Sequence, residues 1–456
     1  MRRVVKVSRI RIIITIIVVV LTTLLTGCTG KEPNEIAYVV ALGIDSTDDD
    51  NYKITIQYAN TTQISGGASE SGGKAGSEIV DNVTIEAPNI YAGVGLANNI
   101  VSKSFSMSHA KLIVFSKEIA EKGVKDMIET LVRSEEIRPD VFIAVANTTA
   151  NDYLTSVNPE MEVNPAQYYQ LIYQKNQLVG IPDGQLREFF TGLYTDNYDS
   201  ILPVAGVIEG SGGNSQNDDK GQSKDGQNEG SEGSSESLDS FESKSSNEKD
   251  ENEKEKYAEK NTSKYEYDIK NYIGGETTIE KKNKAEAIGA AVFEKDKMVG
   301  ELGEVETEIC KMLKGDYTYS YLTYYNNDTP DIPITVKTTQ QKKPKYKIDT
   351  DKKTVDIELY IESDLYSLPA DYNVENKIED FERDVANYTS SACTEFINNF
   401  TKKYNSDILK LNEKVKYKFL TNNQYNWFKK NVGWSEYKFS VCTNFKVRRT
   451  GLIVRE

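Results

Sequence analysis

From residue 209 to residue 264 the chain is built almost wholly of Gly, Ser, Asn, Gln, Lys, Asp and Glu, with Leu238, Phe241 and Tyr257 as isolated large apolar residues. Such a stretch cannot bury enough apolar surface to offset the entropy lost on ordering, so it is expected to be a linker or an expanded loop. Folding is thereby confined to its two sides. The expected division is an N-terminal α+β part, 28–208, an acidic Gly/Ser linker, 209–270, and a C-terminal α+β part, 271–456, whose own split into two subdomains stays open. A shorter Gly/Ser run, 65–77, reads as an excursion between two strands.

Periodicity on both sides sets the class. Tyr52, Ile54, Ile56 and Tyr58 alternate with polar residues, as do Val355, Ile357, Leu359 and Ile361, and the run 437–447. Period-two alternation marks half-buried strands. Helices are expected at 90–101 and 119–132, a strand at 109–115 and a buried strand at 141–145. The longest helix is expected over 374–404, where Val374, Ile378, Phe381, Val385, Tyr388, Ala392, Phe396 and Phe400 recur at three- and four-residue spacing and give one apolar stripe. Strands and helices mixed in this order predict an α+β fold with mixed sheets and packed helices.

The N-terminus carries Arg2, Arg3, Lys6, Arg9 and Arg11, then a largely aliphatic stretch from 12 to 25, and Leu25-Thr26-Gly27-Cys28 follows. A charged and then apolar segment is the layout of a secretory signal, and the four-residue run resembles a bacterial lipobox. The apolar core of about 14 residues is short of the roughly 20 needed to span hydrocarbon. Residues 1–27 are therefore read as a lipoprotein signal peptide, with Cys28 as the lipidation site and everything after it outside the cytoplasm. Two acyl chains make a stable anchor where one is marginal, so the expected molecule is a soluble body tied to a membrane. Cys310, Cys393 and Cys442 are odd in number and far apart, so no disulfide framework follows from them.

Charge and residue inventory exclude several classes. The formal net charge of −15 becomes about −20 once the five basic residues of the signal are removed, which argues against nucleic acid as a partner. Lys446, Arg448, Arg449 and Arg455 form a local basic cluster, read as a solvated strand face. His109 is the only histidine. Any nucleophilic site with a histidine base must use it, and its place before an apolar strand points to a structural role. Gly93 and Gly95 mimic part of a dinucleotide fingerprint, but the third glycine is absent, and both are read as close-packing positions. Glu304, Glu306 and Glu308 alternate as cation ligands could, yet in an acidic chain such runs are usually solvated. No catalytic residues, cofactor or metal site are expected, and no enzyme activity.

Several segments, in order, carry a resemblance. Ala41-Leu42-Gly43-Ile44-Asp45 with Gln57-Tyr58-Ala59-Asn60, then Ser108-His109-Ala110-Lys111, then Arg138-Pro139-Asp140, then 290–302 with Glu306-Thr307, and finally the tail around Trp427 and Trp434 resemble the C-subunit lipoproteins of spore germinant receptors, the Ger(x)C family. Ser108 stands where the family usually has Gly, and 405–410 follows its Asp-x-x-Gly turn only loosely. The resemblance implies a lipid-anchored subunit on the outer face of the cytoplasmic membrane (the spore inner membrane). It also implies a role in receptor assembly and function in spore germination with two integral membrane subunits, an A-type and a transporter-like B-type. Whether this chain binds the germinant itself stays open. The rival reading, an extracytoplasmic solute-binding lipoprotein, calls for repeated βαβ units and two similar lobes, which the sequence does not display.

Overall fold

The computed structural model describes residues 13–18, 35–49, 51–60, 80–158, 162, 164–174, 180–195, 197–208, 271–277, 283–325, 333–367 and 377–449. Cys28, the 65–77 run, the body of the 209–270 segment, Val374 and Arg455 lie outside them.

The first sheet has nine strands. Its path runs β3 (Val80–Ala87), β2 (Tyr52–Ala59), β1 (Ile36–Ser46), β5 (Leu112–Ser116), β6 (Phe142–Ala146), β7 (Ile201–Val207), β8 (Ala285–Glu294), β9 (Lys297–Leu302), with β4 (Ser104–Ser106) beside β1. The flanks are antiparallel, while β1, β5, β6 and β7 run parallel. Helices α1 (Ile90–Ala97), α2 (Lys117–Lys122), α3 (Lys125–Val132), α4 (Ala150–Ser156), α5 (Pro165–Gln174) and α6 (Leu186–Thr195) connect the strands. Parallel strands need such crossovers, and helices then cover both faces.

That double covering explains the uninterrupted apolar runs. Ile113 and Phe115 join Leu42, Ile44, Ile143 and Val145 in one core. Leu112 and Val114 join Ala41, Phe142, Ala144 and Tyr153 in the other. A bulge between Val39 and Ala41 shifts the register of β1, so Val39 packs on the first face and Val40 and Ala41 both on the second.

The second sheet is built on the long strand β13 (Thr354–Ser367). It pairs along one edge with β12 (Lys345–Asp349) and β11 (Pro333–Gln340), and along the other with β14 (Lys438–Arg449) in parallel; β10 (Tyr319–Tyr325) extends β11. Across it lies α8 (Ile378–Tyr404), whose Phe381, Val385, Ala392, Phe396 and Phe400 are buried at the spacing the sequence shows. Between the sheets runs α7 (Glu304–Lys314). Its Val305, Ile309 and Leu313 share one core with Ala290 and Val292 of the first sheet and Val355 and Ile357 of the second.

The α+β class holds, and several boundaries move. The first sheet crosses the 209–270 segment, because β8 and β9 complete it from the far side, Val207 opposite Ala285. The change of sheet falls at α7 instead. The helix expected over 119–132 is two, broken where Gly123 takes φ 123°, a conformation open mainly to glycine. The strand expected from 109 begins at Leu112, with His109 exposed in the preceding turn. The parallel run β5–β6–β7 does contain helical crossovers of the βαβ kind, which the sequence pattern hid. The second sheet has a different topology, so the two lobes are not alike.

Only one of the two α1 glycines packs closely. A Cβ on Gly93 would lie 2.6 Å from Ile54 Cδ1, whereas one on Gly95 meets nothing within 4 Å. Gly95→Ala is expected to raise stability by about 0.5–1 kcal/mol through helix propensity, and Gly93→Ala to lower it by about 1–3 kcal/mol through overpacking. Urea midpoints of the two variants check this, and equal shifts would contradict it.

Candidate functional site at the junction of the two sheets

Two aspartates pin one side of the junction. After Tyr404 the chain leaves α8 through Asn405 in the left-handed region, φ 47°, and turns again at Lys410, φ 56°. Between them Asp407 is buried, and its carboxylate accepts from the backbone N–H of Leu411 at 2.7 Å and of Asn412 at 2.8 Å, capping α9 (Leu411–Val415). Asp199, just before β7, accepts from the N–H of Asp407 at 2.8 Å, and its own N–H donates to the Asp407 carbonyl at 3.1 Å. Burial pushes the Asp407 carboxyl up to about 7, against the two N–H donors that pull it down. This is the loosely matched Asp-x-x-Gly turn: Asp407 holds the Asp position, and Lys410 takes the left-handed conformation that glycine usually supplies.

Two polar clefts meet here and share Tyr198 and Asp199. The first, about 420 Å³, is lined among others by Asp183, Glu188, Lys314, Asp316 and Lys410. The second, about 610 Å³, includes Lys295, Asn412, Lys429 and Lys430. Lys410 Nζ lies 3.2 Å from Glu188 Oε2 and 4.1 Å from the centre of the Tyr198 ring. Burial works against the ionised Glu188, but the Lys410 ammonium outweighs it and holds the carboxyl below its usual range. Side chains of both signs along the walls suit a small polar or zwitterionic molecule.

On α7 the three glutamates separate. Their alternation belongs to a helix, so Glu304 and Glu308, four apart, share one face while Glu306 points away from it. Glu306 Oε2 accepts from the N–H of Gly303 at 3.0 Å and from Asn271 at 3.1 Å, closing the start of the helix. Glu308 is pushed up to about 7 by burial. Lys311, pushed down to about 8 by burial, donates to the Ile181 carbonyl at 3.0 Å. Among the described residues no group of three or more His, Cys, Asp or Glu could hold a metal ion.

The other singled-out residues are dispersed. His109 rests edge-on against Tyr38, with ring centres 5.0 Å apart. Cys310 and Cys393 are buried free thiols, each pushed up to about 12 by burial, and Cys442 is exposed. In the basic cluster Lys446 pairs with Glu382 and Arg448 with Glu362. The first of the segments that carried the resemblance is a structural joint. Asp45 accepts from the N–H groups of Ala150 at 2.6 Å and Asn151 at 3.0 Å, at the start of α4. A Cβ on Gly43 would press on Leu154 at 3.0 Å and on Ala150 at 3.1 Å. Arg138 and Asp140 pair with each other at 3.0 and 3.2 Å. Asp199 escaped sequence reasoning because a lone aspartate before a strand has no local signature. The Asp-x-x-Gly turn did point to its partner.

Two family models match this chain in order. "Spore germination protein N-terminal domain" matches 30–207, and "Spore germination B3/GerAC like, C-terminal" matches 288–451. The chain belongs to the Ger(x)C family of spore germination proteins. Among relatives of this Ger(x)C chain, Spore germination protein KC of Bacillus subtilis is 26% identical over 35% of this chain and 42% of its own length. Putative spore germination protein YfkR of the same organism is 28% identical over 32% and 37%. Spore germination protein B3, also from Bacillus subtilis, is 26% identical over 30% and 36%. The chain thus matches less than half the length of each of these relatives. The crystal structure of the GerBC protein is similar at a TM-score of 0.47 and 15% identity, over 89% of this chain and 96% of that one.

Proposed function

We propose that this Ger(x)C chain is the lipid-anchored subunit of a nutrient germinant receptor, tied by Cys28 to the outer face of the spore's inner membrane. There it serves assembly and function of the receptor beside two integral membrane subunits, without catalysis. The observation that carries the reading is the ordered match of both family models on either side of the 209–270 segment. A lipobox directly behind a basic and apolar N-terminus supports the anchor. Among the described residues no helix is long and apolar enough to cross a membrane. Two acyl chains would hold the body beside membrane-confined partners and raise its effective concentration to about millimolar.

The test is Cys28→Ala in spores, scored for membrane-bound fraction, partner co-purification and germination rate. Most of the chain is expected to leave the membrane fraction, with receptor assembly and nutrient-triggered germination reduced. Unchanged membrane retention would sink the anchor. Lost retention with a full germination response would show that protein contacts alone hold the complex. The junction clefts favour one competing reading, a solute-binding lipoprotein. Tracer binding of amino acids or sugars to the purified chain separates the two.

A further inference from the structure

A stretch near the C-terminus departs from the charge of the rest. Between 410 and 430 six lysines stand against one acid, Glu413, in a chain of net charge −15. The same stretch carries the two most exposed large apolar side chains among the described residues, Leu420 at 95% and Tyr417 at 80%, and also Trp427 at 64%. The cause is local and amphipathic. In α10 (Asn422–Asn431), Tyr425 and Phe428 turn inward against Phe419, at ring-centre distances of 5.9 and 4.9 Å. This leaves Asn423, Trp427 and Lys430, at three- and four-residue spacing, on the outer face. Trp434, by contrast, is buried, and its indole N–H donates to Asn412 at 3.1 Å.

Placement adds a second, independent observation. Because β1, β5, β6 and β7 run parallel, the residues leading into β7 lie at the same end of the strands as those leading into β1. α10 is fixed to that end. Lys429 Nζ donates to the Asn197 side chain at 3.1 Å and to the Thr195 carbonyl at 3.3 Å, and the Tyr425 hydroxyl donates to Asn197 at 3.2 Å. Glu35, which leads into β1, therefore lies at the end of the strands to which α10 is fixed.

We propose that residues 416–430 form a membrane-docking face. In it Tyr417, Leu420 and Trp427 enter the boundary between headgroups and acyl chains of an anionic bilayer, and Lys416 and Lys430 lie beside lipid phosphates. The chemistry favours lipid over protein. Lysine is depleted in protein interfaces, whereas lysine interleaved with Trp, Tyr and Leu suits the membrane–water boundary. Contact at this face would set the orientation of an acidic body that anionic lipid otherwise repels. The inference rests in part on the anchored reading above.

The experiment uses the full chain in vesicles of phosphatidylcholine, with and without phosphatidylglycerol, and follows tryptophan emission against brominated acyl chains. With phosphatidylglycerol, emission is expected to shift to the blue and be quenched, and the change to vanish in Trp427→Phe, which leaves Trp434 as the only indole. Lys416→Glu combined with Lys430→Glu, or high salt, should bring quenching down to the phosphatidylcholine level. A retained chain whose Trp427 stays unquenched at every composition overturns the face alone. Protection of Trp427 that arises only when membrane proteins are added assigns the face to a protein partner and also overturns it. A chain that leaves the vesicles altogether overturns anchor and face together.

Discussion

Gly206→Ala is expected to destabilise this protein by about 3 kcal/mol, toward the upper end for overpacked sites. A Cβ on Gly206 would lie 2.0 Å from the carbonyl carbon of Gly274 and 2.1 Å from the nitrogen of Gly275. Both are backbone atoms, so no rotamer change relieves the contact. The opposing segment is itself tied down, Gly274 N–H to the Ile288 carbonyl at 3.0 Å and the Asn147 side chain to the Gly274 carbonyl at 2.9 Å. For a body of about 300 described residues the loss corresponds to a fall in Tm of roughly 4–6 °C. A melting temperature within a degree of the parent would show that strand and segment separate at little cost.

Asp407→Ala is the second large loss, about 2–4 kcal/mol, since it leaves the N–H groups of Leu411 and Asn412 without their acceptor at a buried helix start. A pH signature distinguishes this from simple loss of packing. The Asp407 carboxyl sits at about 7 when folded, above its ordinary 3.8, so the folded state binds its proton more tightly. Its contribution is fully present below about pH 4 and is lost as pH rises through about 7. Glu308, raised to about 7, acts in the same direction. Asp407→Asn should therefore flatten, without abolishing, the decline in stability between pH 4 and 7. Urea midpoints across that range give the answer, and identical slopes in parent and variant would refute the assignment.

What the sequence disclosed and what it hid divide along local and non-local lines. Strands with one solvated face, such as β2, β13 and β14, announce themselves by alternation, and the stripe of α8 by its spacing. Burial on a helix is harder to read. Glu304, Glu306 and Glu308 read as a solvated run, yet all three are half-buried on a helix whose inward face is set by Val305, Ile309 and Leu313. Pairing across the 209–270 segment left no trace, because register between distant strands is decided by packing and not by propensity. The same holds for the candidate site. Asp407 was visible as part of a turn, but its meeting with Asp199, over two hundred positions away, exists only in the folded chain.

The pairing of β7 with β8 bears on how such a chain can change over generations. The chain leaves the first sheet at Ile208, whose N–H donates to the Lys284 carbonyl at 2.8 Å. It comes back against its own departure point, with Gly274 packed on Gly206. Both ends of the intervening segment are thus stitched to one place on the body. Closure entropy grows only logarithmically with the number of residues between such ends. Codons can accordingly be gained or lost there with little consequence for the fold, so related chains should differ most in length at this point and least in the strands on either side.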